Sequence, residues 1–250
     1  MGPDTTVSVR GLTRDFGSFR AVDDVWFEVH TGEVFGFLGA NGAGKTTLIR
    51  MLCGLLEPTA GTATVCGLDI RTRTRDVRRI IGYMSQKFSL YEDLPVRANI
   101  EFFGGVYGLP RSALKRSIAR LTAELQLEEY ASAQTRSLPL GIKQRLALGI
   151  ALLHNPSVLF LDEPTAGVDP IIRRNFWRII YDIAGRGSTV FVTTHYMEEA
   201  EYCNRLLIMH QGKIIETGSP SELKTRHDRP TIRDVFIRLI SERMQEENAV

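Results

Sequence analysis

The 250-residue sequence predicts an α/β fold in which a mainly parallel sheet carries an inserted helical subdomain, and three observations carry that expectation. An apolar run, Val34-Phe35-Gly36-Phe37-Leu38, leads into a glycine-rich loop and then into Thr47-Leu48-Ile49-Arg50-Met51-Leu52, whose apolar residues fall on one helical face. Two later apolar runs, Ser157-Val158-Leu159-Phe160-Leu161 and Thr189-Val190-Phe191-Val192-Thr193-Thr194, suit strands buried on both faces, as in parallel sheets. Between these parts, residues 87–149 turn aromatic and 3.6-periodic.

Along the chain, the glycine-rich loop comes first. Gly39, Ala40, Asn41, Gly42, Ala43, Gly44, Lys45 and Thr46 complete the pattern G-x-x-x-x-G-K-[ST] between a strand and a helix, which predicts a P-loop NTPase core. Glycines at 39, 42 and 44 let successive backbone N–H groups turn toward phosphate oxygens with no Cβ in the way. The following helix, with Thr47 in its first turn, adds its positive N-terminal end. Lys45 can extend its ammonium to the β- and γ-phosphates, and the Thr46 hydroxyl suits one position of an octahedral Mg²⁺. The expected ligand is a nucleoside triphosphate with magnesium.

The middle region holds Phe88, Tyr91, Phe102, Phe103 and Tyr107 together with the helical stripe Leu114-Ile118-Leu121-Leu125, a small helical subdomain. Downstream, the run ending at Leu161 is followed by Asp162-Glu163-Pro164 and looks like a Walker B strand. Parallel sheets place ligands at the carboxyl ends of their strands, so these acids can meet the loop at 39–46. Asp162 would hold Mg²⁺, directly or through water, and Glu163 would face the γ-phosphate and polarise the attacking water. After residue 220, apolar positions 232, 235, 236, 239 and 240 at helical spacing predict a docked amphipathic helix, with residues 246–250 expected to fray.

Composition narrows the function classes. With 43% hydrophobic residues the chain can bury a sizeable core, and a formal charge of +2 without a long basic tract points away from nucleic acid. The three cysteines, Cys53, Cys66 and Cys203, form no C-x-x-C pair, which suits reduced packing cysteines in a cytosolic compartment. No run approaches the roughly 20 apolar residues needed to span a bilayer, nor does the N-terminus carry a signal-peptide core.

On these residues and several motifs that follow in order, the sequence resembles the nucleotide-binding subunit of an ATP-binding cassette (ABC) transporter of multidrug or ABC-2 exporter type, over residues 5–220. The resemblance implies a RecA-like core at 5–86 and 150–220, an antiparallel β region, a helical subdomain at 87–149 and an added helical extension at 221–250. Phe16, before Gly17, sits where the family stacks an aromatic on adenine, with plain core packing as the alternative. Gln86 resembles the Q-loop glutamine, whose amide contacts Mg²⁺ or the attacking water. His195 matches the switch histidine, able to bond the γ-phosphate and position Glu163. Asp169 in Ala166-Gly167-Val168-Asp169-Pro170 resembles the D-loop at the family's dimer interface, with a helix cap as the alternative.

One motif departs from the family. Its signature, L-S-G-G-Q, reads here Leu138-Pro139-Leu140-Gly141-Ile142, so only the first leucine and last glycine remain. In family dimers this segment grips the γ-phosphate held by the other subunit, through a serine hydroxyl and glycine amides at a helix N-terminus. Pro139 supplies neither hydroxyl nor N–H, but proline is tolerated at the first helical position, so the helix is expected to survive. Either the chain pairs with a cassette bearing a regular signature, as one member of a heterodimer or a fragment of a tandem cassette, or a homodimer relies on the Gly141 amide. The resemblance implies ATP and Mg²⁺ as ligands. It implies a membrane-spanning permease subunit and a second nucleotide-binding subunit as partners, no nucleic acid, and a peripheral place on the cytoplasmic face of the membrane. A soluble cassette clamp acting in repair, chromosome maintenance or translation is the competing class, and a weakened regulatory half is a third.

Overall fold

A computed structural model describes residues 5–248. The first two described strands, β1 (Thr5–Phe16) and β2 (Phe19–His30), are long and antiparallel, their register shifted several times along the pair, and they end with Phe16 opposite Phe19. β3 (Val34–Leu38) runs into the glycine-rich loop and α1 (Lys45–Leu52). β4 (Ala60–Val65) and β5 (Leu68–Asp69) return to the first sheet, and α2 (Thr74–Ile80) feeds β6 (Ile81–Met84). A helical stretch follows, with α3 (Val96–Val106), α4 (Arg111–Glu124), two short 3₁₀ turns and α5 (Leu140–Ala151). β7 (Val158–Asp162), α6 (Pro170–Gly185), β8 (Thr189–Thr194), α7 (Met197–Ala200), β9 (Arg205–His210) and β10 (Lys213–Gly218) complete the sheet, and α8 (Pro220–Arg226) and α9 (Ile232–Asn248) close the chain.

The strands form two sheets. One is antiparallel, in the order β2-β1-β4-β5, and the other runs β10-β9-β3-β8-β7-β6. In the larger sheet β9, β3, β8, β7 and β6 are mutually parallel, and only the edge strand β10 is antiparallel to its neighbour. The two sheets and their helices match the expected α/β class, antiparallel region included.

Burial explains why three apolar runs become central strands. Every residue of β3, β7 and β8 is buried, because alternate side chains leave the larger sheet into two separate cores. On one side Leu38, Leu161 and Val192 meet Leu146, Trp177 and Ile180 from the helices. On the other Phe35, Phe37, Phe160 and Phe191 pack on α1 and the antiparallel sheet, and Phe160 stacks on Phe191 with centroids 4.7 Å apart. Burying a ring of this kind is worth about 1.5–3 kcal/mol.

The boundaries shift slightly from the sequence expectation. The acidic strand slides by one residue to end on Asp162, and α1 begins at Lys45 rather than Thr47 because its first turn grows out of the loop itself. In the middle region Tyr91, Phe102 and Phe103 pack on one another, Tyr107 stacks on His154, and Leu121 and Leu125 are buried. In α9, Ile232, Val235 and Leu239 are buried, as the periodicity predicts, and the helix packs against α7 and α8. It continues to Asn248, into the segment expected to fray; residues 249–250 lie outside the described residues. Cys53 and Cys203 are buried packing residues, but Cys66 is exposed. It occupies the β4–β5 turn at φ 48°, a position chosen by the turn and not by the core. No helix among the described residues is long and apolar enough to cross a membrane.

Candidate nucleotide-binding site

The sheet order determines what can meet at the carboxyl ends of the strands. β8 lies between β3 and β7, so the loop after β3 and the acids after β7 approach each other across the end of β8. Thr193 fills that interval. Its hydroxyl donates to Asp162 Oδ1 at 2.7 Å and accepts the Glu163 N–H at 2.8 Å, while Thr46 Oγ1 donates to the same Asp162 oxygen at 3.1 Å.

The loop wraps a cleft through backbone geometry that side chains would obstruct. A Cβ on Gly39 would stand 2.6 Å from the Met209 carbonyl oxygen, and one on Gly44, at φ 103°, would collide with the Ala21 carbonyl oxygen. Gly44 in this left-handed conformation is also the N-cap from which α1 starts. The buried Lys45 ammonium folds onto its own loop, donating to the carbonyls of Gly39 at 2.7 Å and Ala40 at 3.0 Å. Burial lowers its pKa, and the charges of Glu163 and Asp162 oppose that shift. A cavity of about 400 Å³ is bounded by the loop from Asn41 to Thr47, by Phe19, and by Gln86 and Glu163 on the far wall.

Asp162 and Glu163 are adjacent in sequence yet differ in setting. Asp162 is buried, which raises its pKa, while hydrogen bonds from Thr193 and Thr46 act the other way. Its Oδ2 is buried and has no hydrogen-bond partner. A free carboxylate oxygen beside a hydroxyl is a hard-oxygen donor set that fits Mg²⁺. Among the described residues no group of three or more His, Cys, Asp or Glu is gathered for a metal, so the ion's other positions would fall to phosphate and water. Glu163 adopts φ 50°, a left-handed conformation costing a non-glycine residue about 1–3 kcal/mol, and the bond from its N–H to Thr193 helps hold it there. Its Oε2 accepts from Gln86 Nε2 at 3.0 Å and lies 3.2 Å from His195 Nδ1, off the direction of a hydrogen bond. One carboxylate is therefore held between an amide and an imidazole at the mouth of the cleft.

The remaining sequence candidates fall elsewhere. Phe16 is exposed beneath the Arg14 guanidinium, 4.6 Å from its centroid, and does not line the cavity; its cross-strand partner Phe19 does. Leu138, Pro139, Leu140, Gly141 and Asp169 do not line that cavity. Gln144 Nε2 of α5 donates to the Ala166 carbonyl in the loop after Glu163, and a Cβ on Gly141 would meet Ile172 of α6, so the start of α5 packs on that loop and on α6. Asp169 caps α6, its Oδ1 accepting the N–H groups of Ile171 and Ile172. Pro139 is the N-cap of α5, not its first helical residue: its ψ of 149° is extended, and its carbonyl takes the first helical bonds. Leu140 opens the helix with its side chain 42% exposed, where the family has a glycine. Sequence reasoning overlooked Thr193 and Phe19. A hydroxyl at the end of a buried strand was the available signal for the first, and the aromatic across the Gly17 turn for the second.

A parallel sheet whose P-loop, paired acids, amide and histidine converge on one cleft defines a nucleoside triphosphate-binding cassette. Residues 22–166 match the family described as ABC transporter. The chain is 49% identical over 242 residues to the probable multidrug ABC transporter ATP-binding protein YbhF of Escherichia coli (strain K12), an alignment covering 95% of this chain and 42% of that protein. It is 40% identical over 222 residues to Nod factor export ATP-binding protein I of Burkholderia lata, covering 88% of this chain and 73% of the relative. Among solved structures, an ATP-binding subunit of an ABC transporter superposes with a TM-score of 0.85 at 27% identity, covering 94% of this chain and 100% of its own. The cbiO1 protein of Clostridium perfringens, part of the ABC transporter complex cbiONQ, follows at 0.82 and 27%, covering 98% and 99%. This chain belongs to the ABC transporter family, as an ATP-binding cassette. It spans about two fifths of the length of YbhF.

Proposed function

We propose that this chain binds Mg-ATP in the cleft at 39–47, hydrolyses it, and powers export through a separate membrane-spanning permease subunit from the cytoplasmic face of the membrane. The observation that carries the reading is the placement of Glu163, an acid bonded by Gln86 and lying 3.2 Å from His195 Nδ1, across a cavity from the phosphate-binding loop. Backbone N–H groups of the loop and the start of α1 receive the phosphates, and Lys45 swings from its own carbonyls to the γ-phosphate. Magnesium held by Thr46 and Asp162 would neutralise phosphate charge. Glu163 takes a proton from water as its oxygen attacks the γ-phosphorus, the bond to the bridging oxygen breaks, and ADP leaves with that electron pair. Gln86 and His195 orient the carboxylate and, through it, the water. The export direction rests on the relatives' names, multidrug and Nod factor export.

A second cassette completes the reading. The face formed by Pro139, Leu140 and Gly141 beside the Asp169 cap is where a partner cassette's γ-phosphate would be gripped, and here it offers no serine hydroxyl and an exposed leucine. That chemistry favours pairing with a cassette whose signature is regular.

Purified chain titrated with Mg-ATP should bind it and release phosphate, and Lys45→Ala should lose most of the affinity. Failure of the folded wild-type chain to bind at millimolar nucleotide overturns the proposal. Release of phosphate that permease-containing vesicles never couple to cargo movement overturns its transport part.

A further inference from the structure

Two segments lead away from the cleft, one after Glu163 and one on either side of His195, and both end on the same buried carboxylate. Glu199 of α7 is 1% exposed. Its Oε1 accepts from the Thr165 hydroxyl, two residues beyond Glu163, and its Oε2 accepts from Thr194 Oγ1 at 2.7 Å, the residue before His195. Arg173 of α6 brings its Nε within 3.3 Å of Glu199 Oε1, and its guanidinium lies 4.2 Å over the ring of Tyr196. Tyr196 in turn donates its N–H to Thr194 Oγ1 at 2.9 Å and rests against the His195 ring, centroids 4.2 Å apart. Neither Thr165, Thr194, Arg173 nor Glu199 lines the nucleotide cavity.

We propose that Glu199 is a positioning residue for hydrolysis, an inference that rests on the catalytic reading above. Each of its oxygens holds one flank of the catalytic pair. The two threonine hydroxyls share a single rigid carboxylate, so the separation of the Glu163 carboxylate from the His195 imidazole is set by the geometry of Glu199 and not by either loop alone. Arg173 compensates the buried charge and, through Tyr196, supports the imidazole from its other side. The strained backbone at Glu163 makes such a clamp necessary, because a left-handed residue with a loose following segment would relax away from the water it must orient. A displacement near 1 Å in a reacting group costs about a hundredfold in rate.

The test separates positioning from simple stabilisation. Thr165→Val and Thr194→Val remove a hydroxyl and keep the branched shape, and Thr165→Ser and Thr194→Ser keep the hydroxyl. In the full chain, assembled with its membrane partner, the valine variants should lose about tenfold to a hundredfold in kcat with the Kd for Mg-ATP within about twofold, and the serine variants should recover most of the rate. Thr165→Val and Glu199→Gln combined should cost less than the product of their separate effects, since both release the same clamp. Wild-type kcat in both valine variants, whatever their Tm, or a fall in kcat matched by an equal loss of affinity, overturns the proposal. If a valine variant does not fold, Glu199→Gln with Arg173→Met removes both buried charges together and must show the same loss of kcat at constant Kd. A wild-type chain that binds ATP without hydrolysing it would instead refute the catalytic reading on which this inference stands.

Discussion

Replacing Thr193 by valine removes a hydroxyl at the centre of the site with little change of shape. Thr193 is fully buried, donates to Asp162 at 2.7 Å and accepts from the Glu163 N–H at 2.8 Å. A hydrogen bond to a charged group is worth about 1.5–3 kcal/mol, and a buried amide left without an acceptor costs about 1–3 kcal/mol. Asp162 keeps its bond from Thr46, which reduces the combined loss to about 2–4 kcal/mol. In a chain of this size each kcal/mol moves Tm by about 2–4 °C, so differential scanning calorimetry should show a fall of about 5–15 °C. ATP hydrolysis should fall further than stability alone explains, since Glu163 loses the bond that holds its left-handed backbone, while Thr193→Ser should stay close to wild type in both assays. A Tm within about 2 °C of wild type with unaltered turnover would refute the argument that this hydroxyl braces the acidic pair.

Glu163→Gln should keep nucleotide affinity and lose about 10²–10⁴-fold in turnover, measured by single-turnover phosphate release, and undiminished hydrolysis would remove Glu163 as the base. His154 supplies a pH dependence: burial lowers its pKa, its Nε2 bonds to the Ile81 carbonyl, and its buried Nδ1 has no partner to accept a second proton's charge. Between that lowered value and the ordinary value of about 6.5, the unfolded chain binds a proton that the native chain refuses, so stability rises with pH there and is lost on acidification. Tm profiles between about pH 7 and pH 5 should therefore fall more steeply for wild type than for His154→Gln, and parallel profiles would contradict the assignment. Pro139→Ser combined with Leu140→Gly should raise ATPase activity if two identical cassettes pair, and no increase in a folded variant would point to a heterodimer with the active signature elsewhere.

The parts of this protein legible in its sequence are those encoded locally. A P-loop is a backbone trace that only glycines at particular spacings permit, so Gly39 to Thr46 announced both the loop and the flanking strand and helix. Central strands were equally plain, because burial on both faces leaves no polar alternation, and α9 was visible in its apolar stripe. What tertiary structure decided are contacts whose partners lie far apart in the chain or one step beyond a turn. Thr46 and Asp162 are separated by 116 positions, and only the order β3-β8-β7 puts Thr193 between the loop and the acids. Phe19 rather than Phe16 walls the cleft because the hairpin turns one ring of a cross-strand pair toward the loop. Pro139 falls at the N-cap of α5 because its extended backbone makes the helix start one residue later than proline's tolerance suggested. Glu199 carries no motif in the sequence; it is the fold that buries it between two threonines, whose hydroxyls offset the cost of burying a carboxylate.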